Sequence, residues 1–322
     1  MNAANGSTAT ETTATDKPGL TPAGPPGPAG LYVGRFAPSP TGALHLGSLV
    51  AALGSFLDAR HHGGRWLLRM EDLDTPRVIR GCADQILRTL ELFGLTWDEQ
   101  VSWQSRQRER YAQAAEALRT HGHTFECSCS RRLRAENEDR GYPGTCRDKP
   151  PGPAPTATRF RVDENRTVLV DDKFQGPCPF ELRSLGDVVI RRRDGIFAYQ
   201  LAVVVDDAAQ GITRVVRGAD LLTSTAWQLC IQQALDYRPP DYAHLPLVVE
   251  PDGTKLSKTR RSLPLDATEI APSLLCALRL LRQNVALGLE NEAPSTVLEW
   301  AIKHWNPRAF HAIREVRPDP GH

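Results

Sequence analysis

The chain predicts an α/β fold of the Rossmann type, a doubly wound parallel sheet, and two observations carry that expectation. Short apolar runs of strand length alternate with amphipathic runs of helical period along most of residues 31–258. A turn rich in Pro and Gly, Gly34-Arg-Phe-Ala-Pro-Ser-Pro-Thr-Gly42, then joins the first strand to the first helix, at the edge where such sheets bind ligands.

The first strand is expected at Leu31-Tyr-Val33, and Leu49, Ala52, Leu53 and Phe56 at i, i+3, i+4, i+7 form the buried stripe of the helix that follows. Trp66-Leu-Leu-Arg-Met70 reads as a buried strand. Ile86, Leu87, Leu90 and Phe93 mark one helix face, and Tyr111, Ala114, Ala115 and Leu118 another. A polar segment and the linker Pro150-Pro-Gly-Pro-Ala-Pro155 interrupt the series, with short strands expected at 158–162 and 167–170. Strands near 188–190 and 212–216, a helix around 223–235 and a strand at 245–249 then resume the parallel alternation. Two further helices are expected in the tail, one with Leu274, Leu275, Leu278 and Leu281, the other near 295–305, packing together as a small C-terminal helical lobe.

The resulting division is a disordered tail at 1–30, two halves of the parallel-sheet domain at 31–120 and 186–258, an insert at 121–185, and the helical lobe at 259–322. Residues 1–30 are dominated by Ala, Thr, Gly and Pro, with almost no large apolar side chains, so they cannot repay the entropy of ordering. They carry no charged start followed by an apolar run, and no later stretch is long enough to span a bilayer, so a cytoplasmic protein without a membrane anchor is expected. A formal net charge of +1 argues against a globally basic nucleic-acid binder. A nucleic-acid surface would be a local patch, to which Arg191-Arg-Arg193 and Arg260-Arg261 can contribute.

Two groups of residues carry chemistry. His45 and the N–H groups beside it sit at the start of a helix, where a phosphate is favoured, and Lys255 and Lys258 in a Gly- and Ser-flanked loop can close on the same phosphates. Cys127, Cys129 and Cys146 bracket a polar insert without a core of its own, which a metal would organise. Zinc takes four ligands, so three thiolates leave one place open; His121 and His123 are the first chemical candidates for it. Cys82, Cys178, Cys230 and Cys276 are scattered core positions, and an odd total of seven cysteines argues against a disulfide framework.

The segments around His45-Leu-Gly-Ser48 and Lys255-Leu-Ser-Lys258 resemble the His-Ile-Gly-His and Lys-Met-Ser-Lys-Ser signatures of class I aminoacyl-tRNA synthetases. Arg35-Phe-Ala-Pro-Ser-Pro-Thr-Gly42, Arg69-Met-Glu-Asp-Leu-Asp-Thr-Pro-Arg77 and Val216-Arg-Gly-Ala-Asp220 resemble the glutamyl and glutaminyl branch. Only 64 residues follow Lys258, too few for the helical anticodon-reading domains of a full glutamyl enzyme. That layout, Ser48 in place of the last signature His, and Phe197-Ala-Tyr-Gln-Leu-Ala-Val-Val-Val-Asp-Asp207 are similar to a truncated branch, whose members transfer glutamate to queuosine in the anticodon of tRNA(Asp).

The resemblance implies an adenylate-forming ligase acting on L-glutamate, ATP with Mg²⁺, and tRNA(Asp) containing queuosine, with one zinc per chain; a monomer is expected, though the sequence itself does not give the oligomeric state. It implies that His45, Gly47, Ser48 and Lys258 hold ATP, with His45, Lys258 and a supporting Lys255 stabilising phosphate charge. Glutamate falls to Arg35, Phe36, Ala37, Pro38, Ser39, Glu71, Tyr199 and Arg217. The two guanidiniums suit carboxylates, and Glu71 suits the ammonium. It fills the fourth metal place with Tyr142, beside Cys127, Cys129 and Cys146. An ordinary charging enzyme and a silent nucleotide- or tRNA-binding relative are the rival readings; intact His45, Lys258 and Arg35 oppose the second.

Overall fold

A computed structural model describes residues 31–129, 142–150, 155–249 and 264–317, so the expected disordered tail at 1–30 lies outside the described residues. The first part of the chain runs β1 (Val33–Phe36), α1 (Leu46–His61), β2 (Arg65–Met70), α2 (Cys82–Leu92), β3 (Ser102–Trp103), α3 (Arg108–Thr120) and β4 (Thr124–Cys127). The middle runs β5 (Ala157–Phe160), β6 (Thr167–Asp172), β7 (Gly176–Glu181), the single turn α4 (Leu182–Leu185), β8 (Val188–Arg191) and α5 (Tyr199–Ala209). It continues through β9 (Arg214–Gly218), α6 (Leu222–Ala234), β10 (Asp241–Leu245), β11 (Leu247–Val248), α7 (Ile270–Leu280), α8 (Pro294–His304) and β12 (Glu315–Val316).

The parallel sheet is built in two pieces that meet at β1. β1, β2 and β3 pair in that order, all parallel, and β9, β10 and β6 pair parallel with β7 antiparallel at the far edge. Thr213, just before β9, joins the pieces: its N–H donates to the Val33 carbonyl at 2.9 Å, and its hydroxyl accepts the Val33 N–H at 2.8 Å. The strand succession β3-β2-β1-β9-β10-β6 therefore reverses direction between β1 and β9, and that reversal is the topological switch at which such sheets bind ligands.

Burial follows the expected stripes. Leu49, Ala52, Leu53 and Phe56 of α1 pack with Trp66 and Leu68 of β2, and Ile86 and Leu90 of α2 join the same cluster. The continuous run Leu201–Val205, for which the sequence suggests no element, lies within α5; it is buried on all sides, so no amphipathic period marks it.

Four expectations are corrected. β6, expected in the insert, belongs to the main sheet, because its alternate residues Val168 and Val170 pack against Leu201, Val204 and Ala226 of α5 and α6. The strand at Val188–Arg191, expected in the parallel sheet, instead pairs antiparallel with β5, which also carries β4. The strand expected at 245–249 runs Asp241–Leu245, and Pro246, which has no N–H to give a ladder, separates it from the short β11. The tail helices do not stand apart as a lobe: Leu274 and Leu278 of α7 and Val297 and Leu298 of α8 share the apolar cluster of α1 and β2, and β12 pairs parallel with β11.

The tail helices are thereby load carriers for the catalytic body, and Leu278→Ala is expected to cost roughly 2–5 kcal/mol, the range for emptying a closed core site. Denaturant unfolding measures it; a loss under about 0.5 kcal/mol would contradict the shared core.

Candidate active site

A cleft of about 770 Å³ opens at the carboxyl ends of β1, β2 and β9. Arg35, Phe36, Ala37, Ser39, His45, Gly47, Ser48, Glu71, Tyr199 and Arg217 all line it. Pro38 does not; its carbonyl accepts the Glu71 N–H at 2.9 Å and so ties the two loops of the cleft together. Lys255 and Lys258 lie outside the described residues.

His45 is the N-cap of α1, in extended conformation, and it forms a reciprocal capping box with Ser48. The Ser48 N–H donates to His45 Nδ1 at 3.3 Å, and the His45 N–H donates to Ser48 Oγ at 2.7 Å. With Nδ1 accepting, the ring proton of neutral His45 sits on Nε2, the tautomer able to donate to an anion at the helix start. A Cβ on Gly47 would press within 3.2 Å of that ring, which explains a glycine there. The hydroxyl of Ser48 is spent on the His45 backbone.

Behind the cleft lies a buried ionic cluster that ties three elements together. Asp207 of α5 accepts from Arg35 Nε at 3.1 Å and lies 2.8 Å from Arg69 Nη1, all three being buried. Burial raises the Asp207 carboxyl, but Arg35 and Arg69 outweigh it and hold the group below the usual carboxylate range. Its neighbour Asp206 accepts from the Tyr111 hydroxyl at 2.9 Å and from Gln104 at 2.8 Å, and burial lifts its carboxyl above the ordinary value.

Glu71 and Arg217 face the cleft with their charges less fully answered. Burial pushes the Glu71 carboxyl up to about 7, against the pull of Arg69, whose Nη2 lies 3.6 Å away, and of Arg35. Arg217 donates to the Tyr199 hydroxyl at 3.1 Å, His244 Nε2 at 3.0 Å, and Thr225 Oγ1 and Gln228 Oε1 at 2.7 Å each. All of these partners are neutral. Arg35, by contrast, faces the Asp207 carboxylate, so the two arginines expected at carboxylates are electrostatically unequal.

Away from the cleft, the sulfurs of Cys127, Cys129 and Cys146 lie within 4.8 Å of one another, and the Tyr142 hydroxyl lies 3.5 and 3.6 Å from Cys127 and Cys129. Burial raises the Cys146 thiol, but hydrogen bonds from the Tyr142 hydroxyl and the Ser128 N–H bring it down to about 7. Neither His121 nor His123 belongs to the group; His121 Nδ1 is bonded to the Ala117 carbonyl at 2.7 Å. Gly186, at φ +66°, lies so close to Tyr142 that a Cβ would come within 2.4 Å of its backbone N, and this close approach seats Tyr142 under the thiols. The insert is not without support of its own. Arg147 grips Asp187 through two bonds of 2.6 Å, and the Arg159 guanidinium lies 3.8 Å above the Tyr142 ring.

Sequence reasoning missed Asp172, Arg69, Asp206, Asp207, Thr225, Gln228 and His244 as supports of the site. The paired aspartates after the apolar run Leu201–Val205 were the available signal, since acidic residues at the end of a buried helix need buried partners.

Residues 32–271 match the family described as tRNA synthetases class I (E and Q), catalytic domain, the class that this fold and cleft define. A glutamyl-Q tRNA(Asp) synthetase of Dechloromonas aromatica (strain RCB) is 52% identical over 283 residues, spanning 85% of this chain and 94% of the relative. The relative of that name in Pseudomonas syringae pv. syringae (strain B728a) is 48% identical, spanning 88% of this chain and 96% of its own. The chain belongs to the glutamyl-Q tRNA(Asp) synthetase family. Among solved structures, a glutamate-tRNA synthetase from Elizabethkingia anophelis superposes with a TM-score of 0.77 at 26% identity, over 90% of this chain and 68% of that one. A glutamate tRNA ligase from Elizabethkingia meningosepticum CCUG26117, in complex with its amino acid, superposes with a TM-score of 0.74, also at 26% identity, over 90% of this chain and 67% of its own.

Removing Asp207 would leave two buried guanidiniums without their shared carboxylate. Asp207→Ala is expected to cost roughly 3–5 kcal/mol, measured by denaturant unfolding; a variant as stable as the parent would contradict the cluster's structural role.

Proposed function

We propose that this chain activates L-glutamate with ATP, without needing tRNA for that step, and transfers the glutamyl group to queuosine in the anticodon of tRNA(Asp). The observation that carries this reading is identity near 50% with glutamyl-Q tRNA(Asp) synthetases along nearly their whole length. The glutamate α-carboxylate attacks the α-phosphorus of ATP, an O–P bond forms, and pyrophosphate leaves. A hydroxyl of the queuosine ring then attacks the acyl carbon, and AMP leaves as the ester forms.

Charge builds on phosphate oxygens in the first step, so donors fixed before the reaction are what the site must supply. His45 donates from Nε2 at the α1 N-terminus, the backbone at Gly47 and Ser48 lies beside it, and Mg²⁺ enters with ATP. Lys258, with Lys255 in support, is assigned to the same phosphates from its motif position. Arg217 takes a glutamate carboxylate and Tyr199 shares that wall. Glu71 takes the ammonium, while Arg35, Phe36, Ala37, Pro38 and Ser39 shape the pocket. A tRNA acceptor suits a cytoplasmic enzyme. No described helix is long and apolar enough to cross a membrane.

The three thiols and Tyr142 fit zinc. Zn–S bonds near 2.3 Å place tetrahedral ligands roughly 3.8 Å apart, close to the 3.4 Å between the Cys129 and Cys146 sulfurs and the 3.5–3.6 Å to the phenol oxygen. Zinc bound there cross-links β4 to the Tyr142–Cys146 segment, and no reaction step uses it.

The functional test is transfer of labelled glutamate to tRNA(Asp) with and without queuosine, beside glutamate-dependent ATP–pyrophosphate exchange without any tRNA. Exchange without tRNA, and transfer only to the modified tRNA, are expected; charging of unmodified tRNA(Asp) or a strict tRNA requirement for exchange would overturn the reading.

Glu71 sets a pH dependence. Below about 7 the free enzyme holds this carboxyl protonated, which removes the anion that meets the ammonium. The KM for glutamate is therefore expected to rise as pH falls from 8 to 6, while Glu71→Gln gives a weak and flat profile; a flat profile in the parent enzyme would contradict the assignment. For the metal, elemental analysis is expected to find one zinc per chain, lost in Cys129→Ser with the exchange activity largely kept. Metal-free protein on purification would remove zinc from the account.

A further inference from the structure

The row Asp172–His244–Arg217 crosses three neighbouring strands of the main sheet, and nothing in the reaction above uses its first two members. His244 on β10 stands directly opposite Arg217 on β9, so the two side chains share a face of the sheet. Asp172 closes β6, the next strand along. All three are closed off from solvent, at 2%, 0% and 6% exposure in that order.

The chemistry of the contacts fixes the proton. Arg217 Nε lies 3.0 Å from His244 Nε2, and a guanidinium has no lone pair to offer, so Nε2 must be the acceptor. The ring hydrogen then sits on Nδ1, where it meets Asp172 Oδ2 at 2.5 Å. Asp172 cannot swing away, because its Oδ1 accepts the N–H groups of Phe174, Gln175 and His244 at 3.0, 2.8 and 3.1 Å. Burial, with Arg217 behind it, holds the imidazole down to about 4 against the pull of Asp172 and the more distant Asp220. The ring is neutral at pH 7.

We propose that His244, held by Asp172, is the positioning residue that aims the Arg217 guanidinium at the substrate carboxylate while leaving its charge unspent, and that it thereby sets the preference for glutamate over glutamine. The proposal rests on the reading that Arg217 receives a glutamate carboxylate. A carboxylate at position 244 would orient Arg217 equally well and cancel its charge. A neutral acceptor orients without cancelling. Asp172, one strand further away, fixes the ring without touching the guanidinium.

The experiment is glutamate-dependent ATP–pyrophosphate exchange with the full chain and its His244→Ala and His244→Gln variants. His244→Ala is expected to raise the KM for glutamate at least about tenfold and narrow the glutamate-to-glutamine ratio by a similar factor, with the KM for ATP within about twofold of the parent. Glutamine keeps an acceptor for Arg217 and a donor for Asp172, so His244→Gln is expected within about threefold of the parent. A glutamate KM unchanged in His244→Ala, or a rise shared equally by ATP, overturns the proposal. Because a buried alanine can compromise folding, nitrogen NMR of the parent's histidine rings supplies a second arm. A ring protonated on Nδ1 and bare on Nε2 from pH 6 to 8 is expected, and an imidazolium or the opposite tautomer at His244 overturns the proposal. A parent enzyme showing no glutamate-dependent exchange overturns the functional reading itself, whereas robust exchange with an indifferent His244→Ala overturns only the positioning role.

Discussion

One carboxylate, Asp207, holds two buried guanidiniums that rise from adjacent strands, and the geometry of the cleft depends on it. Arg35 comes from β1, Arg69 from β2 and Asp207 from the end of α5, so the cluster pins a helix across the strands beside the topological switch. Without Asp207, buried Arg35 would lose its described ion-pair partner and Arg69 its nearest one, and a carboxylate without them would take up a proton instead. The requirement is mutual, and it fixes the distance between the floor of the cleft and the helix that delivers Tyr199 to its wall.

The same cluster divides the electrostatic labour. Arg35 faces the Asp207 carboxylate that it shares with Arg69, whereas the described hydrogen-bond partners of Arg217 are all neutral. Across from it stands Glu71, kept half protonated near neutrality by burial. Relative to an unfolded carboxyl near 4.5, the folded group binds its proton more tightly, so it favours the fold most at low pH and loses that contribution as pH rises through about 7. An incoming ammonium would add to the pull of Arg69 and Arg35 in favouring the ionised carboxylate. A cation on one wall and an anion on the other match a zwitterionic amino acid with an extra carboxylate, which is the substrate named by the family.

Much of the site was legible in the sequence because it is local. His45 caps α1 through residues three positions away, and the strand-turn-helix pattern alone places it there. The three cysteines of the insert converge as their spacing suggested. What could not be read is long-range pairing. Strand β6 has the alternation of any half-buried strand, and only its partner β10 assigns it to the main sheet; β8, with similar composition, goes to the antiparallel one. His244 was invisible for a related reason. It follows Tyr242 and Ala243 in a short apolar strand, and its importance lies in partners 27 and 72 residues away.

The central claim is that Arg217, oriented by neutral groups, is the charge that selects the substrate. It is tested most directly by the ratio of kcat/KM for glutamate over glutamine in pyrophosphate exchange, measured for the parent enzyme and for Arg217→Gln. The account predicts a parent ratio above about a hundredfold that largely collapses in the variant, because a buried cation left without its carboxylate costs a few kcal/mol. A ratio equally high in both would contradict it.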